Sequence, residues 1–419
     1  MMTGSGTALA ERSGDTAIAA GFSLTPPPPG FIDDPFPVYR ALRENAPVKQ
    51  IGENAWFLTR HADLARVYKD TALFSSDKKA EFAPKFGDGY LFRHHTTSLV
   101  FNDPPLHTRV RRILAGALNP RAVSSLEPDV VALVDRLLDA MEEKGGPVDL
   151  IEDFAAAIPV EVIGNLLDVP HDEREPLRNW SLAILGALEP ALTQEQFQTG
   201  EDAVRDFLAY LETLVARRRA NPGDPDRDML TRLLAGEPDG GRLSEEELLQ
   251  NCIFILNAGH ETTTNLIGNA LELLDRFPFE RARLLAEPGL VPSAVEEALR
   301  YESSNQLGNR RTTAPVEIGD VAMPEGSSLT LCIGAANRDP AVFDDPERFD
   351  VARKPNRHFA FASGPHQCIG MAVARLEGRI AIERFLSRFP HYRLDGSPVR
   401  SQRIRFRGFT SIPARLEPV

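Results

Sequence analysis

The ten residues Phe361-Ala362-Ser363-Gly364-Pro365-His366-Gln367-Cys368-Ile369-Gly370 constrain this chain more than any other stretch of it. Gly364, Pro365 and Gly370 disfavour regular structure around the cysteine. Beyond it, Leu376, Ile380 and Phe385 fall on one face of a helix expected from Ile369 onward. A thiol at a helix N-terminus meets the positive end of the helix dipole and unpaired backbone N–H groups, and both favour the thiolate. The glycines let the backbone come close to a flat ligand. A lone cysteine is more often a small buried apolar residue than a ligand. The pattern around it carries the information here, because Phe, Gly, His, Cys and Gly at these spacings would arise on the order of 10⁻⁵ times per chain of ordinary composition.

The remaining composition narrows the class. A chain of 419 residues with 42% hydrophobic side chains can bury a large core. Its net charge of −13 argues against a nucleic-acid binder, which needs a basic surplus. With Cys252 and Cys332 as the only other cysteines there is no disulfide framework or four-cysteine cluster, which points to a reducing, cytoplasmic compartment. The longest uncharged apolar stretch, residues 248–260, is too short to span a bilayer, and the N-terminus lacks a basic-then-apolar leader. No membrane association is expected.

Helical periodicity dominates, over 106–118, 124–144, 149–167, 172–188 and 195–220, with Asp103 as the expected N-cap before Pro104-Pro105. Strand-like segments are sparse, at 55–59, 316–318, 328–333 and 404–409. Loops are expected at 221–228 and 237–241. Residues 1–30, rich in Gly, Ala, Ser and Thr and closing on Pro26 to Gly30, are expected to be mobile, with 31–419 forming one domain. The fold class is mainly α with a small β region drawn from distant segments.

A second chemistry-bearing segment is Ala258-Gly259-His260-Glu261-Thr262-Thr263, inside a long helix that opens on the capping-box spacing Ser244 to Glu247 and stops at Pro278. The Thr262 hydroxyl lies one turn from the Ala258 carbonyl and can compete for its backbone hydrogen bond. A widened turn holding an acid and an alcohol suits proton relay. Two further pairs are ordinary taken alone: Glu297 with Arg300, and His107 with Arg111, each sharing a helix face.

Taken together in this order, the four motifs resemble those of the cytochromes P450, in particular their bacterial members, over roughly Asp33 to the C-terminus. The resemblance implies the P450 fold around one buried haem b, with Cys368 as the axial ligand of the iron. It implies haem contacts from His107, Arg111, Ala258, Gly259, Phe361, Gly364, His366 and Gly370, and from Arg310 or its neighbour Arg311. Glu261 and Thr262 become the pair that feeds protons to bound dioxygen. Glu297, Arg300 and Arg348 become a buried structural network.

The activity implied is insertion of one atom of O₂ into a small organic substrate, the other leaving as water with two electrons and two protons. A peroxide-driven peroxygenase normally lacks the acid–alcohol pair, and a haem-thiolate sensor would show no turnover. No dinucleotide fingerprint or iron–sulfur cysteine set is present. Electrons from NAD(P)H are therefore expected through a ferredoxin, or a flavodoxin, and its reductase, serving a monomer. Residues 103–121 carry a net charge of +3 and residues 353–379 of +4. This makes Arg112, Lys354 and Arg375 the expected docking residues. The substrate pocket is expected from Phe92, Leu99, Val100, Leu185, Leu256, Leu307 and Phe409, with polar Asn305 and Gln306.

Overall fold

The long helix expected around Ala258 becomes the axis of the structure, a computed structural model that describes residues 14–225, 227–236 and 240–417. The helices that frame the site are α1 (Lys79–Phe86), α2 (Tyr90–Thr97), α3 (Leu106–Ala117), α4 (Glu127–Lys144), α5 (Glu175–Gly186), α6 (Gln194–Ala220), α7 (Glu245–Arg276), α8 (Val291–Tyr301) and α9 (Met371–Arg388). The capping box forms as expected at the start of α7: Ser244 Oγ accepts from the Glu247 amide at 3.2 Å, and Glu247 Oε2 from the Ser244 amide at 2.8 Å. Most side chains from Leu248 to Leu274 are buried, as befits a helix apolar on nearly every face. Its first half, through Leu256, shares a core with α3, α5 and α6. Its second half, from Leu266, shares another with α4, α8 and α9. The polar Ala258–Thr263 segment falls at the seam between these two cores.

Five strands, β1 (Val48–Gly52), β2 (Ala55–Leu58), β3 (Phe74–Ser75), β4 (Leu307–Thr312) and β5 (Ser328–Cys332), form one sheet in the order β1-β2-β5-β4-β3. Only the β2–β5 pairing is parallel. Side chains alternate faces along β4. Arg310 is therefore buried, while Arg311 reaches the Gly326 carbonyl at 3.3 Å on the other side.

Several expectations change. Residues 404–408 make no strand beyond an isolated Asn305–Phe406 bridge, and pairing begins at Phe409–Ser411. Their backbone groups are engaged elsewhere: the Ile404 amide donates to the Glu189 carboxylate, and the Arg405 carbonyl accepts from Gln306. Asp103 caps no helix, because its carboxylate accepts instead from Ser75 Oγ and the Ser76 amide. The helix expected over 149–167 starts as a π-helical turn, Leu150–Ala155, and becomes α-helical at Ala157–Leu166.

Within residues 14–30, Ala19, Phe22 and Leu24 are buried with Phe31, Tyr39 and Phe57, while most of the segment is exposed. A few large apolar side chains anchor a segment whose average composition reads as loose. The earlier part of the segment, residues 1–13, lies outside the described residues, as do Asp226 and residues 237–239 of the two expected loops. No helix among the described residues is long and apolar enough to cross a membrane.

Candidate active site

The cysteine loop is held by its own backbone. Gly364–His366 make one 3-10 turn, and the Cys368 amide donates to the Phe361 carbonyl at 2.9 Å. Gly364 has φ +68°, and a Cβ there would run into the Tyr68 carbonyl, so only glycine fits. Cys368 is exposed, yet burial of its surroundings raises its thiol pKa; the Gly370 and Met371 amides, Arg111 and Arg375 act in the opposite direction. Ile369 beside it packs on the same apolar core as Phe92, Leu99 and Phe254.

Next to this loop lies a group of polar side chains short of partners. His107 and His366 bring their rings to 3.9 Å. Both nitrogens of His107, Nε2 of His366 and Nε of Arg310 are buried without a hydrogen bond. Burial, then neighbouring Arg111, pushes the His107 pKa down to about 4; His366 goes down to about 2, by burial, Arg310 and His107. Both imidazoles are neutral and able to donate. Arg111 donates to the Gln367 carbonyl at 2.7 Å. Buried donors without acceptors are costly in a finished core. These donors, beside an exposed cysteine, fit a flat anionic cofactor such as haem, whose propionates would satisfy them.

On α7, Phe254, Ala258 and Thr262 lie four residues apart and are each partly exposed, whereas nearly all other residues from 248 to 271 are buried, so the three form one stripe along the helix. Phe254 belongs to the stripe and was missed in the sequence because nothing local distinguishes it from its apolar neighbours. The Thr262 hydroxyl donates to the Ala258 carbonyl at 2.7 Å, as expected, though the helix stays α-helical throughout. Gly259 has a packing role: a Cβ there would collide with Ile163 Cδ1.

Glu261 does not bond to its neighbour Thr262. It is buried, and its Oε2 accepts from Arg403 Nη1 at 2.7 Å. Burial raises its pKa to about 7, against the lowering effect of Arg403. A second buried acid, Glu377 on α9, interacts with Thr263, and burial raises it to about 8. Neither Arg403 nor Glu377 was singled out in the sequence, since each depends on contacts with residues more than a hundred positions away.

The cytochrome P450 family model matches residues 178–288 and 284–417. The chain is a cytochrome P450. It is 38% identical over 409 residues to cytochrome P450 107B1 of Saccharopolyspora erythraea, covering 92% of this chain and 96% of that protein. It is 35% identical over 401 residues to the 6-deoxyerythronolide B hydroxylase of the same organism, covering 92% and 97%. The structure of P450BioI in complex with a hexadec-9Z-enoic acid ligated acyl carrier protein aligns with a TM-score of 0.87 at 32% identity, covering 92% of this chain and 99% of that one. This P450 is thus a haem-thiolate monooxygenase that uses haem iron and O₂, a small organic substrate and electrons from redox partners.

Other predicted residues of the P450 are redistributed by the fold. Glu297 and Arg300 are fully buried and joined by two 2.8 Å bonds, but the third member is Arg353, whose Nε lies 3.1 Å from both Glu297 oxygens. Arg348 contributes only its carbonyl, its side chain being 56% exposed. Of the docking candidates, Arg112 and Lys354 are exposed. Arg375 instead forms a bidentate pair with Glu296, at 2.7 and 2.8 Å, and lies over the Phe361 ring. With Arg353 and Arg379 also ion-paired, to Glu297 and Glu127, the basic island is largely neutralised.

Of the pocket candidates, Phe92, Leu99 and Leu256 share one core, Leu185 is buried on α5, and Val100 is exposed next to Leu99 in the chain. Leu307 packs with Phe22 and Tyr39, and Phe409 with the α4, α8 and α9 core. Gln306 turns back to the Ser303 carbonyl, and Asn305 caps the Leu307 amide.

Proposed function

We propose that Cys368 is the axial ligand of the haem iron and that His107, Arg111, Arg310 and His366 hold the propionates. The convergence of an exposed cysteine with buried, unpartnered donors of His107, His366 and Arg310 carries this reading. Arg310 is favoured over Arg311 because it is buried with its Nε unpartnered, whereas Arg311 lies on the other side of β4 with its Nε donating to the Gly326 carbonyl. Phe361 closes the loop against Arg375, and Gly364 and Gly370 keep it free of side chains. These residues would hold haem, which would supply the activation of dioxygen needed to insert one atom into an organic substrate, the other leaving as water. Glu261, with a pKa near neutrality, exchanges protons with solvent, and the Thr262 hydroxyl orients them toward the cofactor side. Ala258 leaves room on that face.

The substrate is a molecule of mainly apolar surface held against Phe92, Leu99, Val100, Phe254 and Leu185. The chain's relatives include a 6-deoxyerythronolide B hydroxylase and a cyclomarin C epoxidase, which fits an organic substrate. Electrons come from NAD(P)H through a ferredoxin and its reductase in the cytoplasm. A groove of about 530 Å³, lined by apolar Val123, Pro292, Val295 and Leu376 and by the ion-paired Glu296, Arg375, Glu127 and Arg379, opens beside the helix that follows the cysteine loop and suits docking of the electron carrier, with Arg112 and Lys354 steering.

The test is the ferrous–CO spectrum. Cys368→Ser should lose the thiolate-type Soret band, while Cys252→Ala and Cys332→Ala, both buried elsewhere, keep it. A thiolate band in the Cys368 variant would refute the assignment.

A further inference from the structure

We propose that Arg403 is a positioning residue that clasps the relay acid Glu261 to the end of helix α5, so that the protonation of Glu261 and the seating of that helix are coupled. The proposal rests on the reading of Glu261 as the relay acid.

The geometry is a fork. Arg403 Nη1 donates to Glu261 Oε2 at 2.7 Å, and Nη2 donates to the Leu182 carbonyl of α5 at 2.9 Å. Two N–H groups of one planar guanidinium cannot follow acceptors that move apart. The same two segments are stitched together three more times. The Glu189 carboxylate, just beyond α5, accepts from the Ile404 amide at 3.0 Å and the Arg405 amide at 3.3 Å. Arg405 Nε donates to the Leu188 carbonyl at 3.3 Å. Residues 403–405 and 182–189 therefore behave as one unit, and its single ionic link to α7 is Arg403 with Glu261.

That link is poorly hydrated. The Arg403 side chain is 20% exposed and that of Glu261 7%. Its strength depends on the charge of Glu261, and the groups that set this charge are few. Arg403 favours the carboxylate, Glu189 opposes it, and burial opposes it most. The adjacent His260 stays neutral, pushed down to about 3 by burial with help from Arg178 and Arg403 and against Glu152. Free-energy coupling is reciprocal. A neutral Glu261 must loosen the α5 end, and a displaced α5 end must release Glu261.

The test uses the ferric, substrate-free holoenzyme and needs no turnover. An infrared pH titration follows the carboxyl band that disappears in Glu261→Gln. Its midpoint should rise by about one pH unit or more in Arg403→Gln, since an adjacent opposite charge is lost. Arg403→Lys, which keeps the charge but not the fork, should stay near the wild-type midpoint. Hydrogen exchange of the peptide spanning 180–190, corrected for intrinsic rates, should slow in wild type as pH rises through that midpoint. The pH step should vanish in Glu261→Gln and Arg403→Gln and shrink in Arg403→Lys, which keeps the ionic link but loses the bond to Leu182. An unmoved midpoint in Arg403→Gln, or an exchange step of wild-type size that survives in Arg403→Gln, overturns the clasp. Either failure leaves the relay reading standing, because that is judged by product yield per electron in Thr262 and Glu261 variants.

Discussion

Replacing Arg353 with alanine should destabilise this P450 severely, whereas the same change at Arg348 should hardly register. Arg353 Nε bonds both oxygens of Glu297 at 3.1 Å, and its Nη atoms donate to the carbonyls of Asp344 at 2.7 Å, Asp345 at 3.2 Å and Arg348 at 2.9 Å. Its side chain is 10% exposed and that of Glu297 is wholly buried. Truncation leaves the Glu297–Arg300 pair intact but strips one of its countercharges and orphans three carbonyls at a half-buried surface. Losses of this kind cost about 2–4 kcal/mol, or roughly 30- to 700-fold in the folding equilibrium.

The Arg348 side chain is 56% exposed and 3.9 Å from Asp350, a surface pair worth at most about 0.5 kcal/mol. Urea unfolding of the ferric holoenzyme, followed by the Soret band and by tryptophan fluorescence, gives both differences from the midpoints. Glu297→Gln should be at least as damaging as Arg353→Ala, because it leaves Arg300 buried without a countercharge. Equal midpoints for Arg348→Ala and Arg353→Ala would refute the assignment of Arg353 as the third member.

Thr262→Ala should still bind haem and substrate but divert electrons to peroxide, seen as less product per nicotinamide consumed; an unchanged ratio would exclude the hydroxyl from the relay. Glu377 is raised from the usual carboxylate range to about 8, so between about pH 4.5 and 8 the folded state holds a proton the unfolded chain has lost. Wild-type stability relative to Glu377→Gln should therefore fall as pH rises through that window, the variant gaining on the wild type up to pH 8 and no further. Parallel curves would show that Glu377 is not buried as a neutral acid. Charge reversal at Arg112 or Lys354 should slow reduction by a ferredoxin at low salt and leave the substrate-induced Soret shift alone. Arg375→Glu should also cost stability, through its lost pair with Glu296.

The cysteine loop and the helix after it were legible in the sequence because their chemistry is local: glycine backbone, a helix N-terminus and a thiol within ten residues. The same is true of the capping box at Ser244 and of the Thr262–Ala258 hydrogen bond, both spanning a single turn. Alternation along a strand would have separated Arg310 from Arg311 had the facing of β4 been known, and that facing is set by its pairing with β5.

What the sequence by itself determined is a cysteine loop bounded by glycines, an acid next to an alcohol on one long helix and a predominantly helical chain, each written in spacings of ten residues or fewer. Tertiary structure alone decided which charges meet. Arg353 rather than Arg348 reaches Glu297, Arg375 is consumed by Glu296, and Arg403 finds Glu261 across 142 positions. Long, flexible cationic side chains carry no local signal of their partner. A buried carboxylate takes whichever guanidinium the packing of distant segments brings within reach, because leaving it unpaired costs more than any local preference can repay.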